Sequence, residues 1–189
     1  MSREHHSPES FSERLAPAST PFRLQLPQSL FDELIAHAQR EAPLECCGIL
    51  AGEIIPPAPD SADRSDIAPD IRPPIGMVRS RYSLINEAAS PIEFRSEAKS
   101  MFAATRLMNA RNERILAIYH SHPTSLPIPS RKDRADRLSD EILTIIIGLT
   151  THPPEIRAWW LTADTATPAI LDILPDIAPQ STPQSLPAQ

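Results

Sequence analysis

The 189-residue sequence predicts a single mixed α/β domain. Two segments, near residues 30–38 and 98–108, repeat apolar residues at helical spacing. Two others, Ile115–Tyr119 and Ile142–Leu149, are short, apolar and rich in β-branched residues, as strands are. The second run is apolar almost throughout, which a central strand buried on both faces requires. A chain of this length forms a core without disulfide or metal staples.

Met1–Pro21 is rich in Ser, Pro, Glu and His without hydrophobic period, and reads as a disordered arm. Phe22–Leu26 alternates apolar and polar residues, a half-buried strand. Leu30, Phe31, Leu34, Ile35 and Ala38 then mark a helix opened after Pro27, with Ser29 and Asp32 as its N-cap arrangement. His37 reads as a surface or boundary residue of that helix. It ends near Ala42-Pro43, where Glu45 introduces the strand Cys46–Gly52. Two of the chain's four glycines fall in this piece, suggesting close backbone approach. Residues 55–74, dense in Pro and Asp, form a loop insertion. Met77–Leu84 resumes a strand. A helix follows with Ala98, Met101, Phe102, Thr105 and Met108 on one face. Glu155–Leu161 neighbours the 142–149 strand, and Ala169–Leu174 is the last strand. Residues 175–189 form a disordered tail, leaving 22–174 as the folded domain.

With 18 basic and 24 acidic residues the net charge is -6, which argues against a nucleic-acid or anionic-membrane surface. No apolar run reaches spanning length and Met1–Thr20 lacks a signal-peptide core, so a cytoplasmic protein is expected. Cys46 and Cys47 are adjacent and the only cysteines, so no disulfide framework is implied.

The chemistry concentrates in Ile118–Pro123. Two histidines at i and i+2 of an extended segment, His120 and His122, share one face. The apolar run ends in the sheet just before His120, and Pro123 turns the chain. Asp133, eleven residues after His122, returns across a loop held by Pro127 and Pro129. Two imidazoles and a carboxylate suit zinc, and three protein ligands leave a position for water. Ser121 and Thr124 read as turn residues of the loop. Ser130 is placed to cap a helix whose first turn holds Asp133.

His-x-His-Pro followed by Ser130-x-x-Asp133, with seven residues between His122 and Ser130, resembles the JAMM motif of the MPN/Mov34 metalloprotease family. Glu45–Gly52 is similar to the segment that carries that family's general base, with Ile49 in place of a leucine. Asn86, Ser90-Pro91 and Phe94 extend the resemblance, which covers about Phe22 to Leu174. It implies the α/β MPN (JAB) fold, a mixed twisted sheet flanked by helices. It also implies one zinc per chain on His120, His122 and Asp133, with Glu45 as general base and Ser130 as oxyanion donor. The cysteines are then small buried strand residues.

The family hydrolyses amide or isopeptide bonds at the Gly-Gly tail of ubiquitin-like proteins. Ile142 follows Asp133 by only nine positions, too few for the cysteine-bearing insertion of chain-specific deubiquitinases. The compact form resembles bacterial members, some of which release cysteine from a sulfur-carrier protein. A ubiquitin-like or sulfur-carrier partner ending in Gly-Gly is thus the leading expectation. The rivals are an unrelated peptide substrate, a non-catalytic MPN scaffold and a DNA-associated RadC-like protein. A nucleobase deaminase lacks its His-x-Glu and Pro-Cys-x-x-Cys elements here.

Overall fold

The computed structural model describes residues 22–57 and 73–176. The expected N-terminal arm, most of the 55–74 insertion and nearly all of the C-terminal tail lie outside the described residues. The elements are β1 (Arg23–Pro27), α1 (Gln28–Glu41), β2 (Cys47–Ile55), β3 (Ile75–Leu84), α2 (Ala98–Ala110), β4 (Arg114–His122), α3 (Arg131–Ala135), β5 (Leu143–Gly148), β6 (Glu155–Leu161), β7 (Ala166–Pro168) and β8 (Leu171–Leu174). They build one eight-stranded sheet in the order β7-β6-β5-β4-β2-β3-β1-β8. It is mixed: β4 runs parallel to β5, and β1 parallel to β3 and β8, while the other pairs are antiparallel.

The expected last strand, Ala169–Leu174, is shorter than expected: β8 starts only at Leu171, and β7, just before it in the chain, lies on the opposite edge of the sheet. Ala169 N donates to Ala158 O in β6, and the next residue, Ile170, accepts from Leu24 N in β1, each at 2.9 Å. One dipeptide therefore bridges the two edges, and the sheet curls until they meet. The Phe22 ring stands edge-on to Trp160 across this seam, centroids 5.1 Å apart.

Apolar side chains cover both faces. On one face α1 sets Leu34 and Ala38 against Leu24, Leu26, Leu50, Leu116, Ile145 and Ile147. On the other, α2 sets Ala104 and Met108 against Cys47, Ile49, Tyr82 and Leu84. Every residue of β5 is buried, as its apolar run predicts. The buried face of α2 differs from expectation, because Phe102 is 62% exposed while Ala104 is buried. A turn of 3.6 residues stacks 101, 104, 105 and 108, and places 102 off that stripe.

The start of α1 also differs. The helix begins at Gln28 behind Pro27, with no side-chain cap, so Ser29 already lies inside it. The Asp176 carboxylate accepts from Ser29 N at 3.2 Å and Oγ at 2.8 Å, satisfying a terminal donor from far along the chain. His37 is not at the surface: it is 4% exposed, with Nδ1 2.9 Å from the Tyr119 hydroxyl. That hydroxyl accepts from Arg81 Nη1 at 3.0 Å, leaving its own proton for His37. Gly48 makes room for the same tyrosine, since a Cβ there would lie 2.3 Å from the ring.

Burial, then the Arg81 and Arg40 charges, push His37 down to about 4 against the opposing pull of Glu41. The unfolded chain takes up the proton near 6.5, which the folded chain resists until about pH 4. Folding stability supplied by neutral His37 is therefore present above pH 6.5 and lost as pH falls towards 4. Urea denaturation across this range should show a shallower acid loss for His37→Gln than for the wild type. Parallel pH profiles would contradict the assignment.

Candidate active site

β4 continues through both histidines rather than ending before His120. Neighbours on both sides hold it there: His120 pairs with Cys47 of β2 and Ile146 of β5, and His122 with Gly148 of β5. Strand alternation then sends both rings to the same face, with their Nε2 atoms 3.2 Å apart. Asp133 completes the cluster, Oδ1 lying 3.2 Å from His120 Nε2 and Oδ2 3.6 Å from His122 Nε2.

Each ligand-type group is aimed by a partner. Ser130 caps α3: its Oγ accepts from Asp133 N at 3.1 Å, and Asp133 Oδ2 accepts from Ser130 N at 2.6 Å. This reciprocal pair fixes the carboxylate's direction. His122 Nδ1 lies 2.9 Å from Leu126 O, and donating there leaves the Nε2 lone pair facing the cluster. The loop carrying Leu126 is pinned where Pro127 O accepts from Trp159 Nε1 at 3.0 Å. Pro127 packs so closely over Gly148 that a Cβ there would lie 2.6 Å from its ring. His120 is fully buried beneath the stacked Phe94 ring, centroids 4.6 Å apart.

These donors fit a zinc ion. The ligating atoms of His120, His122 and Asp133 all lie within 4.8 Å of one another. Tetrahedral bonds of about 2.0–2.1 Å place two nitrogens roughly 3.3 Å apart, close to the separation found here. Burial alone would raise Asp133, but hydrogen bonds from both histidines and from Ser130 hold its carboxyl well below the usual range. Burial pushes His120 down. The same burial acts on His122, yet Asp133, Leu126 and Glu45 carry it upward.

Glu45 is 5% exposed at the entry to β2. Its N donates to Ser90 O and its carbonyl accepts from Asn86 Nδ2, both at 2.9 Å. Burial pushes its carboxyl up to about 7; His122 opposes this, and Asp133 and Glu93 add to it. Its carboxyl thus shares the electrostatic environment of the cluster. Cys46 and Cys47 stay neutral thiols, raised by burial to about 11 and 12, and Cys47 Sγ turns to Leu84 O and Ser96.

The structure brings His120, His122 and Asp133 together; Glu45 feels the charges of His122 and Asp133, and Ser130 is exposed and bonded to Asp133. Sequence reasoning missed Ser121, which is not a turn residue. It lies fully buried in β4, its Oγ accepts from Cys46 N at 2.9 Å, and its N donates to Cys46 O at 3.1 Å. Position between two histidines of one strand puts it on the opposite face, but nothing local names its partner. The loop anchor on Trp159 was also unforeseen, whereas Asn86 and Phe94 stood among the residues that carried the family resemblance.

A family model described as prokaryotic homologs of the JAB domain matches residues 27–162. The chain belongs to this family. The match contains every site residue named above. This JAB chain is 26% identical over 149 residues to the CysO-cysteine peptidase of Mycobacterium tuberculosis, covering 78% of this chain and 89% of that protein. It is 28% identical over 120 residues to the desampylase of Haloferax volcanii, covering 61% and 73%. A solution structure from Desulfitobacterium hafniense superposes with a TM-score of 0.66 at 21% identity, over 82% of this chain and 94% of that one. One from Salinibacter ruber gives 0.53 at 19% identity, over 84% and 95%. The curled mixed sheet with its helices is therefore the JAB (MPN) fold, and the chain is a hydrolase of the JAB type. Among the described residues, no helix is long and apolar enough to cross a membrane.

Ser121→Ala would strip the buried Cys46 N–H of its acceptor, at a cost of about 1–3 kcal/mol. Equilibrium denaturation should find that loss, with activity falling as the Glu45 segment shifts. A variant as stable and as active as the wild type would show that this bond does not hold Glu45 in place.

Proposed function

We propose that the chain is a zinc-dependent hydrolase that cleaves an amide or isopeptide bond at the C-terminal glycine of a ubiquitin-like or sulfur-carrier protein. The observation that carries this reading is the convergence of two imidazole Nε2 atoms and one carboxylate beside a buried carboxyl raised to about 7. The substrate class comes from the relatives, whose names refer to a CysO-cysteine conjugate and to desampylation.

His120, His122 and Asp133 would hold the zinc. When bound, the ion supplies a Lewis acid and lowers the pKa of a coordinated water to about 7. Glu45 accepts the proton of the attacking water and passes it to the leaving nitrogen, work suited to a carboxyl whose pKa lies near neutrality. The hydroxyl of Ser130 accepts from Asp133 N, so its own proton remains to donate to the oxygen that gains charge as the carbonyl becomes tetrahedral. A scaffold would have lost a ligand or the base, and this chain keeps all five residues.

Intact-mass spectrometry of a Gly-Gly-ended carrier bearing a C-terminal cysteine tests this. The zinc-loaded protein should release cysteine, and a chelator should stop it. Glu45→Gln should retain zinc yet lose most turnover, and Ser130→Ala should lose on the order of 10²-fold. Turnover by Glu45→Gln at the wild-type rate would overturn the mechanism. Cleavage indifferent to chelator would overturn the zinc.

A further inference from the structure

Beside the ligand cluster a cavity of about 120 Å³ lies between the sheet, the segment around Phe94 and α3 with the residues after it. His120 and Asp133 form part of its wall, so it reaches the reacting centre. Phe94, Met101, Ile118 and Leu138 line much of the rest, with Thr144 on the sheet. Ile118 shows that the space is not ordinary packing. It lies mid-way along β4, paired with Ile49 on one side and Thr144 on the other. Its chain neighbours Ala117 and Tyr119 are fully buried, yet Ile118 is only partly so. An aliphatic side chain of a central strand, left open next to catalytic groups, is surface that a ligand covers.

The chemistry of that ligand follows from the walls. The charged groups at the cavity largely answer one another: Lys132 pairs with Asp136 at 2.9 Å and Glu93 at 3.6 Å, and Arg137 pairs with Asp140. The remaining wall is mainly apolar and suits an uncharged group. An apolar cavity of about 150 Å³ holds benzene. This smaller one takes a thiol or aliphatic side chain and excludes an indole. A carrier ending in Gly-Gly brings no side chain within two residues of the scissile bond, whereas the residue on the leaving side brings one directly beside it.

We infer that this cavity is the leaving-residue pocket, which selects conjugates whose first residue after the carrier glycine has a short uncharged thiol or aliphatic side chain. The inference rests on the carrier reading above. Hydrolysis there breaks the glycine C–N bond; water supplies OH to the glycine carbonyl carbon and a proton to the departing amine.

The test is kcat/KM of the zinc-loaded full chain on carriers ending Gly-Gly-X, with X as Gly, Cys, Val, Met, Asp, Lys or Trp. Cys, Val and Met should exceed the other four by roughly tenfold or more, the discrimination that a methylene or two earns in an apolar pocket. Ile118→Phe, which fills the space, should bring the Cys-to-Gly ratio towards one. Met101→Ala, which widens it, should raise Trp relative to Cys and stands independently if the first variant fails to fold. Equal wild-type rates for every X, or ratios unmoved by both variants, would overturn the pocket while leaving the carrier reading intact. Zinc-loaded protein that cleaves no conjugate would overturn the carrier reading, and the pocket with it.

Discussion

The site depends on β4 being held in register between β2 and β5 up to its last residue. Side chains alternate along a strand, so a slip of one residue would turn both histidines away from Asp133 and bring Ser121 into their place. Pairing of His120 with Cys47 and Ile146, and of His122 with Gly148, prevents that slip. Packing enforces the same register. Tyr119 fits only over Gly48, and Pro127 only over Gly148, so two glycines mark where the strand and its loop must sit. The placement of the two histidines is thus a consequence of sheet assembly.

The loop and α3 then bring a carboxylate to a position that β4 cannot supply. Ser130 and Asp133 exchange hydrogen bonds within the first turn of a five-residue helix too short to be stable alone. Trp159 secures the preceding loop from β6. Rigid strands with a capped turn are what a site needs when its donors must stay close without a charge between them. Burial does most to raise Glu45; His122 opposes it, and the Asp133 and Glu93 charges add to it.

Much of this was legible locally. The apolar run of β5 announces a buried central strand, and His-x-His with Ser-x-x-Asp carries the proposed ligands at fixed spacing in a single stretch. Glu45 was legible only through the family segment around it, because a carboxyl at a helix–strand junction has no period to betray it. What was not legible depends on distant partners. His37 is satisfied in its buried position by the hydroxyl of Tyr119, 82 residues on, which donates to it. Ser121 matters because of Cys46, 75 residues back. Ser29 finds its acceptor in Asp176, 147 residues away. The curl of the sheet escaped for the same reason: β8 is short and half-buried throughout, and only its pairing with β1 reveals its place.

X-ray absorption at the zinc edge of the metal-loaded full chain tests the central claim most directly. The account predicts a first shell of light atoms only, two of them showing the outer-shell pattern of imidazole rings, and loss of one ring in His120→Ala. A sulfur shell at about 2.3 Å would contradict it, because it would move the metal to Cys46 or Cys47 and away from the histidine pair.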